Sequence, residues 1–304
     1  MIKASIDIGT NSVLLLVAEV QHGSVKPLAE KQHIPRLGKD VDYNKNLSSE
    51  SRKRVIDVLL KYKQYLQKEY PEAAERVVVT ATSAVRDAEN RNEFLDQIKA
   101  KTGWNVLLLS GDDEAKVTFK GALSAIQTDD QYSYSVIDIG GGSTEISFGN
   151  PRELKSFKSV DMGSVRFSER YLLTDSPETE QIEKAKQEIA RLFSTEILPV
   201  EDFIPVGVAG TVTSIAAIDA GLSSYKAKKI DGYNLTKDRI EHYIAEFSAT
   251  PSEIIEQRYP VFLKGRGDVI LAGVLILNEF LHWISKDEIV VSTGGIRHGI
   301  LLSL

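Results

Sequence analysis

The 304-residue chain is 42% apolar and 26% charged, an ordinary globular balance, long enough for two domains and without the run of about 20 apolar residues that a membrane helix needs. It has no cysteine, which excludes disulfides, thiolate metal sites and cysteine nucleophiles together. Net charge is −6 with no long basic tract, which argues against general nucleic-acid binding and makes any polyanionic ligand dependent on a local basic patch.

In chain order, Ile2 to Ile8 and Val13 to Val20 read as apolar strands around the turn Gly9-Thr10-Asn11-Ser12, and a third strand follows Gly23. Asp7 stands where a signal peptide would carry its apolar centre, so a cytoplasmic protein without membrane attachment is expected. Ser51 to Lys68 carries Val55, Leu59, Tyr62 and Leu66 at helical steps, with Ser48 or Ser49 as its cap. Arg76 to Thr80 suits a buried parallel strand, followed by a helix near Glu93 to Lys101, a strand at Val106 to Leu109 and a helix from Asp112 to Ile126.

The second half opens as the first did. Strands at Ser135 to Asp138 and Glu145 to Phe148 flank Gly140-Gly141-Gly142, and a third strand runs from Glu153 to Val160. A long amphipathic helix places Ile182, Ala185, Ile189, Leu192, Phe193 and Ile197 on one face. Then come a strand from Pro205 to Ala209, a helix starting near Thr211, an apolar helix from Val269 to Ile284 and a strand at Ile289 to Val291 before Gly294-Gly295.

The two openings are one device used twice. Ser-Ile-Asp-Ile-Gly-Thr-Asn-Ser at 5–12 and Val-Ile-Asp-Ile-Gly-Gly-Gly-Ser at 136–143 place Asp7 and Asp138 131 positions apart, a domain-sized interval. The expectation is an α/β chain of two similar domains, residues 1–127 and 128–304, facing each other across a cleft.

Glycine turns let backbone N–H groups converge on an anion, and Thr10, Ser12, Ser143 and Thr144 add hydroxyl donors. A single such turn is more often a tight hairpin; two acid-led copies at domain spacing favour phosphate clamping. Neither GxxxxGK[ST] nor GxGxxG occurs. Asp7, Asp138 and Glu145 are candidate metal carboxylates, because a lone charge at the end of an apolar strand is costly; turn capping is the competing reading. Oxygen ligands of this kind suit Mg2+, with Mn2+ as an alternative. Asp112, Asp113 and Glu114 at a helix start are explained on sequence alone by the helix dipole. Arg86, just beyond a strand end, can hold phosphate oxygens or pair with Asp87 or Glu89. Arg36, Arg166, Arg266 and Arg297 are further cations of structural type, and His298 is a peripheral candidate.

Taken in series, Asp7-Ile8-Gly9-Thr10-Asn11-Ser12, Arg36-Leu37-Gly38, Thr82 to Arg86, Ser110-Gly111-x-x-Glu114-Ala115, Asp138 to Glu145, Asp161 to Arg166, Ala209-Gly210-Thr211, Asp268-Val269-Ile270 and Ser292 to Gly299 resemble the exopolyphosphatase/guanosine-pentaphosphate phosphatase family of the actin, hexokinase and acetate-kinase superfamily. Asp113 departs from the second glutamate common there, and the helical C-terminal domains of long members have no counterpart in these residues.

The resemblance implies two actin-like, ribonuclease H-like domains with mixed sheets flanked by helices. It implies removal of the terminal phosphate of inorganic polyphosphate, or conversion of pppGpp to ppGpp, by in-line attack of water. Glu114 would be the general base, Arg86 and the N–H groups of 10–12 and 141–144 would stabilise the transferred phosphoryl group, and Gly9, Thr10, Asn11, Ser12, Gly140, Gly141, Gly142, Ser143 and Thr144 would bind phosphate. Asp138 and Glu145 would hold magnesium with help from Asp7. A phosphotransferase of the same superfamily and a non-catalytic polyphosphate or alarmone sensor are the competing functions. Symmetry statistics favour a homodimer.

Overall fold

A computed structural model describes residues 1–21, 23–195 and 202–303. It divides into two units, Met1–Ser124 with Gly294–Leu304, and Ala125–Thr293.

In the first unit, β1 (Ile2–Ile8), β2 (Val13–Gln21) and β3 (Ser24–His33) form an antiparallel meander. The short α1 (Val41–Asn44) leads to α2 (Ser49–Glu69), whose cap is Ser48, its side chain accepting from the Ser51 N–H. After α3 (Pro71–Ala74), β4 (Val77–Ala81) pairs parallel with β1 on one side and with β5 (Val106–Leu108) on the other. Both neighbours leave it no free edge, and its last three residues are buried, in a strand that is apolar apart from Thr80. α4 (Ser83–Arg86) and α5 (Arg91–Thr102) lie between those strands, and α6 (Gly111–Ser124) follows β5. The sheet order is β3-β2-β1-β4-β5. Val55, Leu59, Tyr62 and Leu66, the stripe read from spacing, are all buried against it.

The second unit repeats that order and adds an edge. β6 (Ser133–Ile139), β7 (Thr144–Gly149) and β8 (Leu154–Val160) are the meander; α7 (Ser164–Tyr171) and α8 (Thr179–Ser194) precede β9 (Phe203–Val208), which pairs parallel with β6. Next come α9 (Ala209–Asp219), α10 (Ala227–Ile230), β10 (Tyr233–Thr236), α11 (Lys237–Ser248), α12 (Ser252–Arg258), α13 (Ile270–Trp283) and β11 (Glu288–Val291). The sheet order is β10-β11-β9-β6-β7-β8. Its core forms around α13, whose Phe280 and Trp283 meet Phe193 of α8 with ring centroids 5.9 and 5.2 Å apart. Phe193 and Phe280 are fully buried, and a buried side chain of that size contributes about 1.5–3 kcal/mol. Ile197, placed on the α8 stripe by spacing, lies outside the described residues. Among the described residues no helix is long and apolar enough to cross a membrane.

Three readings change. Ala209 ends no strand: it opens α9 in the left-handed region, φ 69°. The segment from 227 to 258, unassigned from sequence, supplies α10, β10, α11 and α12. The division between the units falls after Ser124 instead of Gln127, and the last residues leave the second unit for the first. The reason is α14 (Ile296–Leu302), which packs on α6 and β1. Arg297 ties it down: its Nη1 meets Glu30 Oε2 at 3.0 Å and donates to the Leu15 carbonyl at 3.2 Å, while Ser5 Oγ donates to the Arg297 carbonyl at 2.9 Å.

The approach of α14 to α6 is set by glycine. A Cβ at Gly299 would stand 1.8 Å from the Val117 carbonyl oxygen, and one at Gly121 would stand 2.0 Å from that of Gly295. Both obstacles are backbone, so neither can swing aside. Gly299→Ala is therefore expected to destabilise the chain by roughly 1–3 kcal/mol, the usual cost of overpacking, and to lower the urea midpoint with little change in slope. An unchanged midpoint would show that α14 is not closely seated.

Candidate active site

Each glycine turn is built so that its carbonyl oxygens are accommodated by protein. In the first, the Gly9 N–H donates to the Ser12 carbonyl at 2.9 Å, the Arg36 N–H to Asn11 at 3.0 Å and the Gly38 N–H to Thr10 at 2.8 Å. The tripeptide 36–38 is thus the turn's carbonyl partner, with Arg36 in the left-handed region at φ 52°. In the second turn the Gly140 N–H donates to Ser143 at 3.0 Å, the same closure. The Gly140 carbonyl accepts from the Ser164 N–H at 2.9 Å, and that of Gly141 from Val165 and Arg166 at 2.8 and 3.1 Å. The Gly142 carbonyl takes Arg166 Nε at 2.6 Å. Arg166 is therefore a brace of the turn. Gly163 permits this docking, since a Cβ there would stand 2.4 Å from the Gly141 carbonyl carbon.

Two of the expected hydroxyl donors are engaged. Thr144 is fully buried and donates its Oγ1 proton to the Met162 carbonyl at 2.5 Å, so it positions the turn and has no proton left for phosphate. Thr10 Oγ1 shares a buried hydrogen bond of 2.9 Å with Ser83 Oγ. Asn11, Ser12, Gly9, Gly140 and Gly141 are half-buried, while Gly142 and Ser143 are buried.

The acids that lead the two turns differ in their neighbours. Asp138 on β6 stands directly across from Glu145 on β7, and both side chains are buried. Ser159 Oγ on β8 donates to Glu145 Oε1 at 2.7 Å. Like charges opposed in this way repel, and a hard divalent cation relieves the repulsion; two carboxylates with water and phosphate oxygens are a usual magnesium set. The pair therefore fits such an ion. In the first unit the residue across from Asp7 is Leu14. Burial pushes the Asp7 carboxyl up to about 6, against the opposing pull of the Arg297 guanidinium and of the Thr80 hydroxyl, which donates at 3.2 Å. Among the described residues no group of three or more Asp, Glu or His side chains gathers as a metal site.

Glu114 separates from the acids beside it. Asp112 and Asp113 are exposed, and Asp113 belongs to the α6 cap, accepting from Ser110 Oγ at 2.6 Å while its N–H donates to the same oxygen at 3.1 Å. Glu114 is buried, and Arg86 Nη1 donates to its Oε2 and to the Leu109 carbonyl, both at 3.1 Å. The salt bridge of Arg86 is with Glu114 instead of Asp87 or Glu89. All three acids stand in the first turn of α6, and only Glu114 is buried.

Arg266 lies against the backbone at Gly210, so close that a methyl group there would collide with its Nη1. The residue is half-buried as a whole, but its Nε is fully enclosed without a hydrogen-bond partner among the described residues, and burial lowers its pKa to about 10. His298 is buried in α14, and burial lowers its pKa to about 3, so it stays neutral and away from solvent. Sequence reasoning missed Thr80, Ser83 and Ser159, which hold Asp7, Thr10 and Glu145. The visible signal for Thr80 was a polar residue closing an apolar strand.

The sequence model of the Ppx/GppA phosphatase family matches residues 16–304. The bifunctional 3-dehydroquinate synthase/phosphatase of Fusobacterium nucleatum is 34% identical over 99% of this chain, which spans 46% of that protein's length. Exopolyphosphatase 2 of Mycobacterium tuberculosis is 30% identical, with 99% of this chain matched to 98% of that protein. The crystal structure of the Aquifex aeolicus member of the Ppx/GppA protein family agrees at a TM-score of 0.83 and 31% identity, covering 100% of this chain and 97% of that one. Two mixed sheets flanked by helices are thus the actin-like two-domain α/β fold that the motif series implied.

The raised pKa of Asp7 has a stability consequence. The folded state holds this proton more tightly than the unfolded chain, whose pKa is near 3.8. Its contribution therefore favours folding below the unfolded value and is lost as pH rises from there to about 6. In metal-free protein, Asp7→Asn is expected to raise stability above that window by on the order of 1–3 kcal/mol and to leave it unchanged below the window. Urea unfolding in chelator across this pH range checks it.

Proposed function

The chain belongs to the Ppx/GppA phosphatase family, and from that premise we propose that it is a phosphoanhydride hydrolase that removes the terminal phosphate of inorganic polyphosphate. The observation that carries the reading is Glu114, a buried carboxylate in the first turn of α6 held at 3.1 Å by the Arg86 guanidinium. The guanidinium fixes the position of the carboxylate, the group that would accept a proton from water. The mycobacterial relative, matched over nearly its whole length, is named an exopolyphosphatase, which favours polyphosphate over pppGpp.

In the reaction, a water oxygen forms a bond to the terminal phosphorus as the bridging P–O bond breaks, and the water proton passes to Glu114. The shortened chain leaves with the bridging oxygen. Each glycine turn, braced through its carbonyls, presents backbone N–H groups as fixed dipoles suited to phosphate oxygens without reorganising. Arg86 adds a cation that also fixes Glu114. Asp138 and Glu145 would hold Mg2+ or Mn2+, which supplies charge neutralisation on phosphate oxygens.

The intact pair of Glu114 and Arg86 favours hydrolysis over phosphotransfer, because a carboxylate poised on water would divert the phosphoryl group from any acceptor. It equally opposes a purely sensing role. Magnesium-dependent phosphate release should proceed from polyphosphate without a nucleotide acceptor. Glu114→Ala should lower kcat by at least ~100-fold, within the usual 10²–10⁴ range of a general base, with KM nearly unchanged. Faster release from pppGpp than from polyphosphate would reassign the substrate. Release only on adding ADP would make the chain a phosphotransferase, and binding without release would make it a sensor.

A further inference from the structure

A chain of net charge −6 that handles a polymeric anion needs a local excess of positive charge, and the second unit contains one outside the two glycine turns. Lys226, Lys228 and Lys229 lie on and just before α10, all exposed, while Ile230 anchors the helix in the core. Among the described residues none of the three lysines has an ion-pair partner. The nearest acids in sequence are otherwise occupied. Asp231 Oδ1 accepts from the Thr293 N–H at 2.7 Å, and Asp219 at the end of α9 takes Arg239, Tyr233 and Tyr243 together.

The position of this cluster in the sheet is specific. The Gly232 N–H, two residues past α10, donates to the Val291 carbonyl at 2.9 Å, at the C-terminal end of β11. β11, β9 and β6 are parallel neighbours, with Val291 beside Gly207 and Val208 beside Asp138. The lysines therefore sit at the same end of the sheet as Asp138 and the turn at 140–143. Two strand spacings, about 10 Å, separate β11 from β6. Arg266 lies between, at the end of β9 against Gly210, and Tyr225, the residue before Lys226, is close enough to act electrostatically on it.

Resting on the hydrolase reading above for the identity of the polyanion, we propose that Lys226, Lys228 and Lys229 form a docking subsite for the body of a polyphosphate chain whose terminal phosphate is held at the glycine turn. The subsite has the chemistry of a track. Lysine ammonium groups are mobile point charges without the planar fork of arginine, so they follow a repeating phosphate backbone without demanding one register. Chains longer than the span from the turn to α10 would gain added contacts there, and shorter ones would not. The cluster thus favours polymeric substrate over a compact nucleotide.

The test is the triple variant K226Q/K228Q/K229Q, with the matching Lys→Arg triple as a charge-preserving control. Binding of end-labelled long-chain polyphosphate is measured by fluorescence anisotropy across salt, with tripolyphosphate as competitor, beside phosphate release from both. The Gln triple should bind long polyphosphate at least ~10-fold more weakly at low salt, with a plot of log K against log salt shallower by about two. Its KM for long chains should rise with kcat unchanged, its handling of tripolyphosphate should match wild type, and the Arg triple should keep long-chain affinity. Equal thermal midpoints would show that both triples fold. Loss of affinity for both lengths together, or for neither, overturns the subsite. Lysine-dependent binding of long chains without phosphate release would uphold the subsite and sink the hydrolase reading; release from both lengths without lysine dependence would do the reverse.

Discussion

A peptide unit points its N–H and its C=O in opposite directions, so a turn can aim consecutive N–H groups at an anion only if its carbonyl oxygens are satisfied on the other side. That constraint organises much of this protein. The carbonyls of Thr10, Asn11 and Ser12 go to the backbone of Gly38, Arg36 and Gly9; those of Gly140 to Ser143 go to the start of α7, the Arg166 side chain and the turn itself. The motifs at 36–38 and 161–166 are thereby explained by hydrogen-bond accounting. Without them each turn would be an ordinary flexible hairpin.

The duplication is closest in the backbone and departs in the side chains. Both units share the meander, the turn closed from glycine to serine, and the parallel strands beyond. The residue across from the leading acid is Leu14 in one copy and Glu145 in the other, so only the second presents two opposed carboxylates. The first copy instead carries the ion pair of the buried Glu114 with the partly exposed Arg86. Removing the guanidinium would leave a buried carboxylate uncompensated, which couples the fold to the chemistry proposed for Glu114.

Legibility of the site varied with how local its cause was. Asp7, Asp138 and the glycines announce themselves, since an acid closing an apolar strand before a glycine turn is a short-range pattern. Glu114 does not: beside Asp112 and Asp113 it is one of three acids favoured by the same dipole, and only its burial against Arg86, 28 positions away, distinguishes it. Thr144 misleads for the complementary reason. Its hydroxyl sits in the turn motif yet is bonded to Met162, a residue brought near by the pairing of β7 with β8.

The sequence by itself determined the order of the strands and of the three long helices in the first 124 residues, the duplicated turns and the apolar stripes, because each follows from periodicity and turn chemistry within about twenty residues. It also carried the family, through an ordered series of short motifs. Only the tertiary structure decided that α14 belongs with the first unit, because glycines at 121 and 299 let backbones meet that no local pattern pairs. The same holds for the small elements α10 and β10, too short for a period to show, and for which of several arginines is a brace, a clamp or an enclosed charge. Those outcomes depend on contacts between residues far apart in the chain, and long-range packing has no local signature.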